Sequence, residues 1–132
     1  MIIGIGSDII DTRRIERVIN KYGRKFKLRC FSKVEIKRSE SVRNSINSYA
    51  KRYAAKEACA KALGTGLARG IFWKDISVIN DIYGKPSIKL YGNALNFLNN
   101  LSNNKCSIFL SLSDEKIYAI ANVIIYQTNE VL

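Results

Sequence analysis

The segment from about Ser45 to Leu63 reads as one long helix, stopped by Gly64 or Gly66. Glycine takes the left-handed backbone that commonly ends a helix. At 3.6 residues per turn, Ile46, Ala50, Tyr53, Ala54, Glu57, Ala58 and Lys61 share one face. That stripe is expected to point inward, with Glu57 and Lys61 near its middle. A buried unpaired carboxylate costs several kcal/mol, so a cation is expected beside Glu57. The alternative is a surface Glu57–Lys61 pair at i,i+4, contributing about 0.3–0.5 kcal/mol. The small neighbours Ala50 and Ala54 let a backbone or a ligand approach closely.

A second carboxylate closes the apolar opening strand. Side chains alternate along a strand, so Gly4, Gly6 and Asp8 point to one side and Ile3, Ile5, Ser7 and Ile9 to the other. The glycines clear space beside the line that ends in Asp8. One reading is a strand packed closely on a helix, with Asp8 capping the helix that follows. The other pairs Asp8 with Glu57 on a metal ion that holds a phosphate.

The remaining pattern fills in the fold. A first helix follows Asp11-Thr12 and packs Ile15, Val18 and Ile19 inward. Ser32 and Glu35 form a capping box for a short helix to about Glu40. Trp73 to Ile79 reads as a strand, Tyr83-Gly84-Lys85-Pro86 as a turn and Ser87 to Tyr91 as the return strand. Asn93 to Leu101 reads as a helix and Ser107 to Ser113 as a strand. Asp114-Glu115-Lys116 is a turn, and Tyr118 to Tyr126 is a final strand. Helices first and an antiparallel meander after them predict an α+β fold. It is a single compact domain over 1–132, its N-terminal strand and helices packed on a mostly antiparallel sheet.

Charge adds a second constraint. The chain has 22 Lys+Arg and 11 Asp+Glu, a net of +11. From Arg13 to Lys61 there are 16 basic and 4 acidic residues, so this stretch carries +12 and the rest −1. Such asymmetry implies an anionic partner: nucleic acid, an acidic protein or a polyphosphate cofactor. A hydrophobic fraction of 47% and one proline argue against a disordered tail. No apolar run approaches the roughly 18 residues of a membrane span. Three cysteines without zinc spacing read as reduced thiols of a cytoplasmic protein, and the absence of histidine excludes a histidine triad or metal site.

Two short motifs suit phosphate. Gly64-Thr65-Gly66, after a helix carrying Lys56 and Lys61, offers backbone N–H groups. Gly84-Lys85-Pro86 adds a lysine on a rigid turn. Each is also an ordinary helix stop or hairpin, and no P-loop pattern occurs.

In order along the chain stand Gly4-Ile5-Gly6-x-Asp8-Ile9, Arg14-Ile15, Phe31-Ser32-x-x-Glu35 and Lys56-Glu57-Ala58-x-x-Lys61-Ala62-Leu63-Gly64-Thr65-Gly66. Gly84-Lys85-Pro86 and Ser111-Leu112-Ser113-Asp114-Glu115 follow. From Ile3 to about Ile125 this series resembles the holo-acyl-carrier-protein synthase family, small bacterial 4′-phosphopantetheinyl transferases. The resemblance implies transfer of 4′-phosphopantetheine from coenzyme A to a serine of an acidic apo acyl carrier protein. It also implies release of adenosine 3′,5′-bisphosphate and a place in fatty acid biosynthesis.

The resemblance also implies residue roles. Asp8 and Glu57 match magnesium ligands and, with Lys61, the catalytic group. Lys61, Gly64, Thr65, Gly66, Lys85 and Pro86 match segments around the nucleotide. Arg14 and its basic helix, with Arg13, Arg17, Lys21 and Arg24, match the carrier-docking surface. A homotrimer with active sites between subunits is implied. Many family members carry a histidine where Phe109 stands and another where Asp114 stands, so neither histidine's role transfers. For the base, Asp8 or Glu57 acting through a water on the metal, or Glu115, remain open. A non-catalytic nucleic-acid-binding domain would account for the charge but not for Asp8 and Glu57, which repel phosphate without a metal.

Overall fold

Asp11 ends the first strand and starts the first helix, its carboxylate accepting the Arg13 backbone N–H at 2.9 Å. The structure, a computed structural model, describes residues 1–131. Strand β1 (Ile2–Asp11) is followed by helices α1 (Thr12–Tyr22), α2 (Arg24–Cys30), α3 (Lys33–Ser41) and α4 (Ser45–Leu63). Then come strands β2 (Ile76–Asn80) and β3 (Pro86–Leu90), helix α5 (Gly92–Leu101), and strands β4 (Asn104–Glu115) and β5 (Tyr118–Val131). The α+β expectation holds, and every strand pairing is antiparallel. The meander does not: the order β1-β5-β4 forms one sheet, and the β2–β3 hairpin forms a second.

Local chemistry accounts for the boundaries. Ser32 and Glu35 make the capping box of α3. Gly64 takes a left-handed backbone at the end of α4, with φ of 87°. The expected strand at Trp73 begins only at Ile76, because Trp73–Asp75 wind into one 3-10 turn whose Asp75 carboxylate accepts the Phe72 N–H at 3.1 Å. Asp114 and Glu115 stay within β4, and the hairpin turns at Lys116-Ile117, where Lys116 has φ of 54°.

Helix α4 lies on the inner face of the three-stranded sheet, against fully buried Ala119, Ala121, Val123 and Ile125. Gly4 and Gly6 permit the contact. A Cβ at Gly4 would sit 2.1 Å from the Ala62 carbonyl oxygen, and one at Gly6 2.0 Å from that of Ala58. The room cleared by the glycines is therefore filled by the helix backbone and not by a ligand.

Sheet, α1, α3 and β2 cover α4 from several sides, so burial is not confined to one stripe. Ala50, Ala54 and Ala58 are buried as expected. Glu57 is only half-buried and Lys61 is exposed, so these two lie at the margin of the buried surface and not at its middle.

The outer face of the same sheet has no cover in one protomer. Register places Ile5, Ile124 and Phe109 in one row and Ile9, Ile120 and Ser113 in another. Ile5, Ile9 and Phe109 are more than half exposed. Between the rows, the Ser7 hydroxyl donates to Asn122 Oδ1 at 2.7 Å.

Candidate active site

Asp8 points from β1 toward α4, opposite Ala121 in the sheet register. Its Oδ1 accepts the Lys61 ammonium at 3.1 Å, and Lys61 also donates to the Ser7 carbonyl at 3.0 Å. The Asp8 side chain is 17% exposed and that of Lys61 51%, so a mostly buried carboxylate meets a wet cation. Glu57 stands one turn before Lys61 on the same helix. Burial first, and then the charge of Asp8, push its carboxyl above the usual range, while Lys61 and Arg14 oppose the shift. The structure thus brings Asp8, Glu57 and Lys61 together, with Arg14 at the edge. A cleft of about 210 Å³ opens here between Asp8, Lys61, Ile9 and Ile120.

The donor set suits a hard divalent cation. Two carboxylates repel each other, and Glu57 accepts no hydrogen bond among the described residues. No group of three or more Cys, Asp or Glu side chains poised for a metal occurs among those residues. A metal here would therefore take two protein ligands and complete its shell with substrate oxygens and water, the habit of magnesium.

Lys56, one residue before Glu57, is not part of this cluster. It is fully buried and pairs with Glu35 at 2.7 Å, so it cannot reach a phosphate at the surface. It also donates to the carbonyls of Trp73, at 3.0 Å, and Ile76. A second stripe, Tyr49, Lys56, Cys59, Ala60 and Leu63, was the available signal: a lysine among apolar helical neighbours points inward.

The turn after α4 uses its own donors. Thr65 and Gly66 N–H groups bond the Ala60 carbonyl, and Gly64 N–H bonds that of Lys61. Above Gly64 and Gly66 the space is open. The second glycine turn helps shape a different place. A cavity of about 380 Å³ is lined by Gly84 and Pro86 together with Arg38, Lys51 and Arg52. Arg52 is buried and donates to Ser48 Oγ at 2.7 Å and Asn80 Oδ1 at 2.8 Å. Lys85 adds no side chain to the lining; its N–H bonds Asp81 Oδ1 at 2.9 Å.

Arg38, Lys51 and Arg52 were not singled out from the sequence, although Lys51-Arg52 is a dibasic step on the long helix. Along α4 the cavity's Arg52 stands five residues before Glu57, about 8 Å at 1.5 Å per residue, and Asp8, Glu57 and Lys61 do not line the cavity. Within one protomer the carboxylate cluster is therefore separate from the cavity wall.

The basic helix α1 faces solvent. Arg13 is engaged by Asp11 at 2.6 Å, which reduces its free charge. Arg14 lies 5.8 Å from the Tyr53 ring centre, and Tyr53 stacks on Trp73 at 4.5 Å. Beside them runs an apolar groove of about 480 Å³, floored by Val18, Phe26, Tyr53 and Trp73 and rimmed by Lys25 and Arg29. Glu115 is excluded as a same-chain partner of Asp8. Register pairs Glu115 with Tyr118 on the outer sheet face, whereas Asp8 is inward.

A family model described as the 4′-phosphopantetheinyl transferase superfamily matches residues 4–121. The chain belongs to this superfamily. Its chemistry is group transfer of 4′-phosphopantetheine. A holo-[acyl-carrier-protein] synthase of Rhizobium rhizogenes is 50% identical over 127 residues, covering 95% of both chains. The crystal structure of the Neisseria meningitidis holo-[acyl-carrier-protein] synthase superposes with a TM-score of 0.84 at 36% identity, over 96% of this chain and 100% of that one. The Helicobacter pylori enzyme of the same name, solved in complex with coenzyme A, gives 0.80 at 30% identity, over 92% of this chain and 99% of that one.

Proposed function

We propose that this phosphopantetheinyl transferase takes its group from coenzyme A and places it on a serine of an acidic apo acyl carrier protein, releasing adenosine 3′,5′-bisphosphate. The observation that carries the mechanism is the cluster of Asp8, Glu57 and Lys61, with a cationic cavity elsewhere on α4. Of the two carboxylates, Asp8 is already held by Lys61, so we assign the base to Glu57. It takes the serine proton on a carboxylate oxygen as the hydroxyl attacks the β-phosphorus. Lys61 then stabilises the negative charge that develops on the departing nucleotide. Magnesium held by Asp8 and Glu57 would neutralise the diphosphate and polarise the phosphorus under attack.

Arg38, Lys51 and Arg52 receive the 3′-phosphate, with Pro86 against the nucleoside and Lys85 at the mouth. The bare surface over Gly64 and Gly66, next to Thr65, lets the nucleotide lie close to the backbone. Because Asp8, Glu57 and Lys61 do not line the cavity of their own chain, a homotrimer places one protomer's cavity beside its neighbour's Asp8 and Glu57. The apolar rows of the outer sheet face supply an interface for that assembly. Arg14, Arg17, Lys21 and Arg24 steer the carrier, and the groove beside Tyr53 accepts its apolar side chains. We place the reaction in the cytoplasm, in keeping with three free cysteines.

Mass spectrometry of an apo carrier protein tests the assignment. Incubation with this protein, coenzyme A and magnesium should add one phosphopantetheine mass to the carrier. No mass gain, together with thermal stabilisation by DNA instead of coenzyme A, would establish the nucleic-acid-binding alternative.

A further inference from the structure

One carboxylate touches the wall of the cationic cavity. Asp114, at the end of β4, accepts the Asn47 side-chain amide at 2.7 Å through Oδ2 and stands 3.7 Å from the Lys51 ammonium through Oδ1. Both Asn47 and Lys51 line the cavity. Of the lining cations, Arg52 gives Nη1 to Ser48 and Nη2 to Asn80 and keeps a buried Nε without a partner among the described residues, and neither it nor Arg38 is paired with a carboxylate there. Lys51 lines the cavity and faces Asp114 as well, so its ammonium is shared between them. A phosphate that draws on Lys51 must compete with Asp114 for it and also bear the repulsion of a nearby like charge.

We infer that Asp114 is a specificity-determining residue that weakens the cavity's hold on the nucleotide 3′-phosphate by sharing Lys51. This rests on the reading that the cavity receives that phosphate. The same group leaves on the product after transfer. A cavity of undiluted positive charge would retain adenosine 3′,5′-bisphosphate and slow turnover, since product release limits many enzymes. Asp114 thus trades nucleotide affinity for release.

Calorimetry on the assembled protein tests this with two probes, adenosine 3′,5′-bisphosphate and adenosine 5′-monophosphate. Asp114→Asn removes the charge and keeps an oxygen for Asn47; Asp114→Ser serves as a second variant. Both should tighten adenosine 3′,5′-bisphosphate roughly five- to tenfold and leave the monophosphate within about twofold. Steady-state kcat should fall, with KM for coenzyme A falling too. In a Lys51→Met background the tightening should vanish, because the effect runs through that ammonium. Unchanged or weaker binding by both Asp114 variants, or equal tightening of both nucleotides, would overturn the proposal. If Lys51→Met weakens the bisphosphate while the Asp114 variants do nothing, only the role of Asp114 falls. If Lys51→Met and Arg38→Met both bind it like the wild type, the cavity is not the phosphate site, and both readings fall.

Discussion

The Lys56 ammonium lies 2.7 Å from the Glu35 carboxylate, and neither side chain is exposed. Burial pulls the ammonium below its usual range, and Glu35 opposes that shift. The pair is fully satisfied: Glu35 also accepts the N–H groups of Ser32 at 2.8 Å and Val78 at 3.0 Å. It binds α4 to α3 and to the β2–β3 hairpin. Removing one partner leaves an uncompensated buried charge, so Lys56→Met alone should cost ~3–5 kcal/mol of folding stability. Adding Glu35→Gln should recover much of that loss. Urea denaturation of the two single variants and the double variant checks this; strictly additive losses would contradict it.

Asp8 and Glu57 should show a cost of function. In the metal-free protein the Glu57 carboxyl stands above its ordinary value, so protonation favours the folded state. That contribution is complete below the unfolded value, near pH 4.3, and is lost as pH rises through the elevated folded value. Glu57→Gln should therefore melt higher than wild type at pH 7, with the gap closing toward pH 4. Asp8→Asn and Glu57→Gln should each lower turnover by orders of magnitude, with partial rescue by excess magnesium. Full activity of both variants in a chelator would sink the assignment.

Arg14 is free of a carboxylate partner among the described residues, whereas Arg13 is held by Asp11. Arg14→Glu should thus raise KM for the carrier protein by about tenfold or more and leave coenzyme A affinity nearly unchanged. Arg13→Glu should do less. Added salt should weaken the wild type in the same direction, since exposed charges are screened. Carrier kinetics insensitive to both salt and charge reversal would remove α1 from the docking surface.

The outer sheet face should govern assembly. Ile9→Lys or Ile124→Lys puts a charge into an apolar row that one protomer leaves uncovered. Light scattering should find the wild type trimeric and these variants monomeric, with transferase activity lost alongside. An active monomer, wild type or variant, would show that each chain completes its own site.

Much of this architecture was legible in the sequence where one local rule decided the outcome. Ser32 with Glu35, a glycine after Leu63 and the alternation of Gly4, Gly6 and Asp8 each fixed a local backbone whatever its use, and α3, the end of α4 and β1 followed. Lys56 and Glu35 were not legible as a pair, because 21 positions separate them and each had a plausible local use. The cationic cavity escaped for the same reason, since Arg38, Arg52 and Pro86 meet only once α3, α4 and β3 pack. Helix α2 carries Phe26, Leu28 and Cys30 at every second position among Arg24, Lys25, Lys27 and Arg29, an alternation with no helical period. Position along a stripe misled in the case of Glu57 and Lys61, because a helix buried on several sides has no single inward direction.

Among the described residues, strand β1, which carries Asp8, is hydrogen-bonded to β5 and to no other strand. Residue 2 leaves the ribosome long before residue 118. At about 5–20 residues per second the delay is roughly 5–25 s. Throughout that interval the isoleucine-rich first segment lacks its partner, and Asp8 has no fixed place. A nascent chain thus already contains every acidic group of the proposed centre and yet has no centre. Asp8 gains its place in the sheet only when the late strand enters between two earlier ones, and assembly of the proposed trimer can follow only after that.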